Sequence, residues 1–440
     1  VFTQNVCSDI MILVMVTGGN FMSKMPIIMH IDVNSAFLSW EACYRLQHGD
    51  TLDLRTIPSI VGGNPETRRG IVLAKSIPAK KYNIKTGESI YSALQKCPDL
   101  TIVAPRFDLY LQCSDSLMKL LKEYSPIVQR YSIDECFLDY SNMESHFGDP
   151  LSAACQIKDR IKNELGFTVN IGISHNKLLA KMASDFKKPD AVHTLYPHEI
   201  KEKMWPLPVE NLFMVGRATK TKLHKLGIFT IKDLATADPK FLEKHLKSHG
   251  LLIWNFANGI ENSPVISENP KPIKGIGNST TIPFDVTDRK TAHLILLSLV
   301  ETVSMRLRNE NARASLISVS IRTSDFKNYS HQKKLANPTD CTNHIFKYVC
   351  CIFDEVWTKE PIRKLGVRVS ELSCNQFSQI SLFDSVDTEK QKSVDKAIDE
   401  LRLRYGSHCI FRAGFLQSNL NPVTGGITIE EDLPMLSSKL

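Results

Sequence analysis

The sequence lacks what would place it in a membrane or in a disulfide-stapled secreted scaffold. Its apolar run Ile10 to Val16 has no basic flank and is far shorter than the roughly 20 residues that a helical span requires. No membrane role follows from it. Eleven cysteines are scattered without any C-x-x-C spacing, and no signal peptide precedes them. They therefore read as reduced thiols of a cytoplasmic protein, with the vicinal pair Cys350-Cys351 as core filling. Neither sign of charge dominates: the net charge is +7 and the pI about 8.7, a modest excess that favours a polyanionic partner.

What is present suffices for a large core. With 440 residues, 42% of them hydrophobic, the chain suggests roughly three domains of about 150 residues each. The basic excess is local, with eight Lys and Arg against three Asp and Glu between Val215 and Gly250, and fifteen against ten between Lys274 and Ser373. Residues 1–21 are expected to form a disordered upstream extension, with Met22 or Met25 as the start.

The stretch Tyr131-Ser132-Ile133-Asp134-Glu135-Cys136-Phe137-Leu138-Asp139-Tyr140 sets two adjacent carboxylates between apolar runs, the pattern of a β-hairpin with acids at its tip. Neighbouring side chains on a regular strand point to opposite faces, so Asp134 and Glu135 can share a ligand only where the chain bends. Carboxylates held together repel unless a cation lies between them, and hard Mg²⁺ takes carboxylate and phosphate oxygens. A solvated acidic turn is the alternative. Upstream, the apolar run Pro26 to Ile31 reads as a buried strand that ends in Asp32-Val33-Asn34-Ser35 before a helix from Ala36 to Leu46. Asn34 or Ser35 can cap that helix. Asp32 is not needed for a cap, and at the end of a central strand it would meet the hairpin acids if the two strands are neighbours, giving the triad Asp32, Asp134 and Glu135.

Ile31-Asp32-Val33-Asn34-Ser35-Ala36-Phe37 and Ser132-Ile133-Asp134-Glu135 resemble the two metal-binding motifs of the Y-family DNA polymerases, and Gly172 to Pro189 is similar to that family's palm helix and following lysine. The resemblance runs from about Pro26 to Ser373 and is nearest to bacterial translesion enzymes of the DinB/UmuC type. It implies an α+β multidomain right hand. Its parts are a ferredoxin-like palm (residues 22–37 and 106–197), small fingers (38–105), a helical helix-hairpin-helix thumb (198–262), a linker (263–274) and an αβ little finger (275–373). It implies template-directed addition of dNTPs to a primer 3′-hydroxyl with two Mg²⁺ ions. Asp32 and Asp134 would bridge both ions, Glu135 would complete the primer-side ion, and the carbonyl of Val33 would complete the other.

By the same resemblance Phe37 is the steric gate against a ribonucleotide 2′-hydroxyl, with helix core packing as its other role. Lys188 is the triphosphate lysine. The fingers depart from the pattern: Ile77 stands where a tyrosine usually contacts the triphosphate, and Lys80 where an arginine is usual. Lysine neutralises phosphate as a point charge but lacks the bidentate fork. A solvated face is the alternative for Lys80, Lys81 and Lys85.

Val215-Gly216-Arg217-Ala218-Thr219 followed by Leu223 to Ile228 looks like a helix-hairpin-helix, in which Gly216, Arg217 and Lys220 would meet a DNA phosphate through backbone N–H groups and positive charge. An ordinary helical hairpin is the alternative. Residues 374–440 are expected to be a tail in which Gln379-Ile380-Ser381-Leu382-Phe383 resembles the peptide that docks on the bacterial sliding clamp, Gln379 orienting and Leu382 and Phe383 filling a pocket. A buried edge strand is the alternative there. Lys390 to Tyr405 reads as an amphipathic helix with Val394, Ala397, Ile398, Leu401 and Tyr405 on one side and Gly406 as the stop.

The implied partners are primer-template DNA, dNTP and the clamp, acting on a monomer. No segment resembles a proofreading exonuclease. A nucleotidyl cyclase would share the palm but has no use for a DNA grip and a clamp peptide, and a catalytically inactive clamp-tethered scaffold of the same fold would normally have lost its carboxylates.

Overall fold

The computed structural model describes residues 25–63, 70–267, 273–373, 388–406, 409–416, 418 and 420. The apolar run after Pro26 forms β1 (Ile28–Val33), buried throughout. Ser35, at φ 51°, turns the chain into α1 (Ala36–Gln47) without a side-chain capping bond. Asn34 instead donates its side-chain amide to Thr168 Oγ1 at 3.2 Å.

A small three-stranded unit follows, made of β2 (Ser59–Gly62), β3 (Val72–Lys75), α2 (Ile77–Lys80), α3 (Ile90–Lys96) and β4 (Thr101–Val103). β2 pairs antiparallel with β3 and parallel with β4, over a core of Ile60, Val72, Ile84 and Ile90.

The chain then returns through α4 (Phe107–Lys122), β5 (Val128–Arg130), β6 (Glu135–Asp139), α5 (Glu144–Phe147), α6 (Pro150–Arg160), β7 (Val169–Ser174), α7 (Lys177–Ser184) and β8 (Val192–Thr194). These strands join β1 in a five-stranded sheet of order β5-β6-β1-β7-β8. β1 runs antiparallel to both its neighbours, so β5-β6-β1-β7 has the 2-3-1-4 order of a ferredoxin-like βαββαβ sheet.

Helices α8 (Arg217–Lys225), α9 (Ile231–Thr236), α10 (Pro239–Leu246) and α11 (Ser248–Ala257) form a helical unit. Its core of Leu223, Ile231, Leu234, Leu242 and Ile253 also takes in Leu178, Leu179 and Met182 of α7. α9 starts at a reciprocal cap, in which Thr230 Oγ1 accepts from the Asp233 N–H and the Asp233 carboxylate accepts from the Thr230 N–H. The stretch expected to be a linker is anchored at its start, where Val265 is buried beside Ile28, Phe137 and Ala180.

The last sheet comprises β9 (Gly275–Val286), β10 (Arg313–Thr323), β11 (Asn328–Thr339) and β12 (Ile362–Ser373), interleaved with α12 (Arg289–Asn309) and α13 (Thr342–Val356). Its order is β11-β10-β12-β9, antiparallel throughout. Both helices pack on one face, and β11 is an exposed polar edge strand that the sequence pattern does not reveal.

One expectation is corrected, and the C-terminal helix forms where expected but docks by its other side. Cys350 is half-buried and Cys351 exposed, because the buried side of α13 is formed by Ile345, Val349, Ile352 and Phe353; the pair does not fill the core. Helix α14 (Thr388–Tyr405) turns its apolar stripe outward, with Val394 51%, Leu401 41% and Tyr405 63% exposed, while Asp395, Asp399 and Arg402 are buried. α14 packs on α12 and on the start of α13, where the Thr342 N–H donates to Asp395 at 2.9 Å. Arg308 donates to Asp399 at 2.6 and 2.9 Å, and Glu301 accepts from Arg402 at 3.0 Å and Arg412 at 2.8 Å. Gly406, at φ 91°, ends the helix. Among the described residues no helix is long and apolar enough to cross a membrane.

α7 lies so close to β7 that a Cβ on Gly172 would fall onto the Ala180 carbonyl oxygen and the Ser184 nitrogen. Backbone atoms cannot yield as a flexible side chain does, so Gly172→Ala is expected to push α7 off the sheet and lower the thermal midpoint by several degrees. An unchanged midpoint in a calorimetric scan would show that the helix is free to shift.

Candidate active site

Pairing of β1 with β6 places Asp32 directly opposite Glu135. The turn before β6 is built by Ser132, whose Oγ accepts from the N–H groups of Asp134 (3.3 Å) and Glu135 (3.0 Å) and donates to Asp134 Oδ1 (2.6 Å). The Asp134 carbonyl accepts from the Val33 N–H at 3.0 Å, tying the turn to the end of β1. Asp134 thus sits in the bend and Glu135 opens the strand, so the three acids gather at one end of two neighbouring strands.

Each acid is at least half-buried, and burial sets the direction of titration for Asp32 and Asp134 but not for Glu135. Burial pushes Asp32 up to about 7, against the opposing pull of Lys188. Asp134 is likewise raised by burial, with the Ser132 hydroxyl opposing. Glu135 is also disfavoured by burial, but the His30 imidazole and the Lys181 charge more than reverse that and hold it below the usual carboxylate range. Of the two, Lys181 is the nearer partner: its Nζ donates to Glu135 Oε2 at 2.7 Å, whereas His30 Nε2 lies 3.7 Å away, too far for a hydrogen bond. The other His30 nitrogen, Nδ1, is 2.8 Å from Ser184 Oγ.

Two lysines serve as counter-ions. Lys188 lies 3.0 Å from Asp32 and 2.8 Å from Asp185. Lys181 packs over the rings of Tyr131 and Phe213 at 5.3 and 5.5 Å. With Asp32 drawn to Lys188, Glu135 to Lys181 and Asp134 to the Ser132 hydroxyl, no three acidic, His or Cys side chains among the described residues converge in ready-made metal geometry. The donor set nonetheless suits a hard divalent ion: carboxylate oxygens, two of them on acids that burial leaves short of negative-charge solvation, beside the main chain of Val33.

Asp32, Val33 and Asp134 line a cavity of about 440 Å³ whose other walls include Phe37, Leu73, Lys75, Lys80 and Thr86. Phe37 stacks on Tyr110 at 4.6 Å between centroids and meets Phe107 edge-on at 6.0 Å, so it packs into the core and faces the cavity at once. Lys80 closes α2, the short helix that Ser76 caps by accepting from the Ala79 N–H at 3.1 Å. Ile77, at the start of that helix, is exposed and offers no polar contact.

Away from the cavity, Gly216 is the N-cap of α8 and provides no side-chain capping bond. Gly216 and Arg217 are exposed, leaving the first N–H groups of α8 available to an anion. Lys220 is paired instead with Glu210 at 2.5 Å. Gln379, Leu382 and Phe383 lie outside the described residues. Sequence reasoning missed Ser132, His30, Lys181 and Lys75. A serine two residues before an aspartate is a turn signal that could have been read; the partners of a lysine or a buried histidine are set only by the fold.

The raised Asp32 has a consequence for stability. Between the ordinary value of 3.8 and about 7, the folded protein holds a proton that the unfolded chain has released, so stability falls as pH rises through this window and the loss is complete above it. Asp32→Asn has no such proton. In chelator at pH 8 the variant is expected to melt a few degrees above the wild type, with the difference closing as pH drops toward 4. Melting curves at several pH values check this; a difference independent of pH would contradict a burial cost that Lys188 only partly offsets.

Two family models match the chain: the impB/mucB/samB family over residues 31–185 and the C-terminal domain of the same family over residues 273–382. The chain is 52% identical over 400 residues to DNA polymerase IV of Clostridium acetobutylicum, covering 90% of this chain and 99% of that protein. It is 39% identical over 395 residues to DNA polymerase IV of Acetivibrio thermocellus, covering 89% and 98%. A solved Y-family DNA polymerase chimera superposes with a TM-score of 0.68 at 25% identity, covering 79% of this chain and all of the chimera. By matched motifs, matched length and matched architecture together, the chain belongs to the impB/mucB/samB family as a Y-family DNA polymerase of the DinB type.

Proposed function

We propose that this chain carries out error-prone, template-directed DNA synthesis past damaged template positions, with Asp32, Asp134 and Glu135 as its catalytic carboxylates. The observation that carries the reading is the β1–β6 register, which sets Asp32 opposite Glu135 at the rim of a cavity walled by Phe37 and Lys80. A nucleotidyl cyclase gains nothing from the helical unit and the last sheet, and an inactive scaffold needs none of the three clustered acids.

In this reading the five-stranded sheet is the palm (residues 22–37 and 106–197), the small unit the fingers (38–105), the helical unit the thumb (198–262) and the last sheet the little finger (275–373). Asp32, Asp134, Glu135 and the Val33 carbonyl would hold two Mg²⁺ ions. Bound there, the ions supply Lewis-acid charge for the primer 3′-hydroxyl and the triphosphate. The primer 3′-oxygen forms its bond to the α-phosphorus as its proton passes to water, the α-phosphorus bond to the bridging oxygen of the β-phosphate breaks, and pyrophosphate leaves.

The chain's own groups do the rest. Lys181 orients the Glu135 carboxylate. Lys80 and Lys188 neutralise phosphate oxygens, and Lys188, already 3.0 Å from Asp32, stands at the boundary between carboxylate and phosphate. Phe37, braced by Tyr110, blocks the place of a 2′-hydroxyl.

DNA is gripped away from the chemistry. The open N-terminus of α8 at Gly216 and Arg217 accepts a backbone phosphate, with Lys220 contributing once it leaves Glu210. The outer face of the last sheet presents Arg322 opposite Lys364 and Ser318 opposite Arg368, and Gly277 opposite Arg368. Such a flat row of cations and small residues suits a phosphate backbone without reading sequence. Gln379, Leu382 and Phe383 dock the enzyme on the sliding clamp, and it works as a monomer in the cytoplasm.

Primer extension tests the site. Asp134→Asn and Glu135→Gln are expected to lower single-turnover incorporation by about a thousandfold or more, within the range of losses for electrostatic stabilisers, while DNA affinity holds. In the same assay Phe37→Ala should raise ribonucleotide use relative to deoxynucleotide. Incorporation at a tenth of the wild-type rate in either acid variant would remove these residues from the chemistry.

The clamp assignment is tested separately. Leu382→Ala with Phe383→Ala is expected to weaken clamp binding by roughly a thousandfold, at about 2 kcal/mol for each anchor, with clamp-free synthesis unchanged. Retained clamp stimulation combined with a lowered melting temperature would assign the pair to the protein's own core.

A further inference from the structure

We propose that Lys75 is a third phosphate-binding lysine of the nucleotide pocket, acting beside Lys80 on the triphosphate; this rests on the polymerase reading above. The placement begins with strand alternation. β3 buries Val72 and Ala74 and leaves Leu73 and Lys75 half-exposed on its other side, and that side faces the palm carboxylates, since Leu73 and Lys75 line the same cavity as Asp32, Asp134 and Phe37. The strand is fixed in this aspect by its pairing with β2, where Lys75 lies opposite Ile60.

Lys75 is held but not neutralised. Its Nζ donates to the carbonyl oxygen of Ile84 at 2.6 Å, a neutral acceptor that occupies one of three ammonium hydrogens. Among the described residues no carboxylate lies within ion-pair distance of it, and the nearby Glu88 is taken by Lys96 at 2.5 Å. Burial first, then repulsion from Lys80, lowers the proton affinity of Lys75. Like charges gathered on one wall, with their counter-charges engaged elsewhere, are stabilised by an incoming anion.

The opposite wall is acidic and suited to divalent ions. A ligand that satisfies both walls is therefore a polyanion that also coordinates metal: the triphosphate of a nucleotide. The fingers need such a residue. Ile77 supplies no donor and Lys80 only a point charge, so a second ammonium restores charge at the place where a forked donor is lacking.

The test is equilibrium binding of the complementary dNTP to the full-length polymerase on a primer-template whose primer ends in a dideoxynucleotide, followed by fluorescence of a template base analogue. Lys75→Met is expected to weaken dNTP binding about tenfold, the scale of one charge-assisted hydrogen bond. Lys75→Arg should stay within about threefold of wild type. DNA affinity and melting temperature should hold in both.

Lys75→Gln, which keeps an N–H donor for the Ile84 carbonyl but no charge, should match Lys75→Met, separating charge from loop anchoring. Lys80→Met is measured in parallel. A loss of dNTP affinity in Lys80→Met with wild-type affinity in Lys75→Met and Lys75→Gln would overturn the role of Lys75 and leave the polymerase site standing. Wild-type affinity in all three, Lys80→Met included, would overturn the assignment of this cavity to the triphosphate. A lowered melting temperature in Lys75→Met with Lys75→Gln at wild-type affinity would reduce Lys75 to a brace for the Ile84 loop.

Discussion

Everything around the site follows from one backbone register. Antiparallel pairing of β1 with β6 puts Asp32 across from Glu135, and the bond from the Val33 N–H to the Asp134 carbonyl draws a third acid to the same end. Like charges at this spacing and burial repel by an amount that water would otherwise screen. The fold meets the problem locally, by leaving Asp32 prone to take a proton and by lending Lys188 and Lys181 as counter-ions. Carboxylates so poorly solvated favour an incoming cation, which accords with the divalent ions proposed for this site.

Helix α7 connects that register to the rest of the molecule. One of its faces rests on β7 at Gly172, where no larger residue fits. A second sends Leu178, Leu179 and Met182 into the core of the helical unit. A third carries Lys181 to Glu135 and, over the Phe213 ring, to the loop that leads into Gly216. Eight residues therefore tie the sheet that carries the three acids to the helical unit. Helical periodicity makes this possible, since successive side chains fan around the axis and can serve three neighbours.

Much of the palm was legible because its signals are local. A continuous apolar run made β1, an acidic pair between apolar runs made the β5–β6 hairpin, and the motif residues of the resemblance fell where the sheet order brings them together. What stayed hidden depends on tertiary partners. β11 is an edge strand whose side chains mostly meet water, Leu335 being its one buried residue, so Lys333 and Lys334 give it the look of a loop. Such edges carry charge because charge discourages pairing with another chain. Lys75 and Lys181 read as surface lysines in any window of sequence; only folding supplies the carbonyl or the carboxylate that each one meets.

The C-terminal helix shows how far periodicity can mislead. Its apolar residues do recur on one side, yet the side that docks is charged: Asp395, Asp399 and Arg402 against Arg308 and Glu301 of α12. Hydrophobic burial would hold a helix at many rotations and offsets. Paired buried charges cost desolvation and add little net stability, but they tolerate a single arrangement, because a slip leaves an unpaired charge inside. Here Arg308 spans Asp395 and Asp399, one turn apart on the helix, while Glu301 takes Arg402 and Arg412 together, so both rotation and axial offset are specified. β12 ends at Ser373 and α14 begins at Thr388, both on the same sheet-and-helix unit. The proposed clamp peptide between them is thus joined at each end to the unit that carries the cationic face, so a clamp that took it would be held beside that face at the higher effective concentration that a short connection gives.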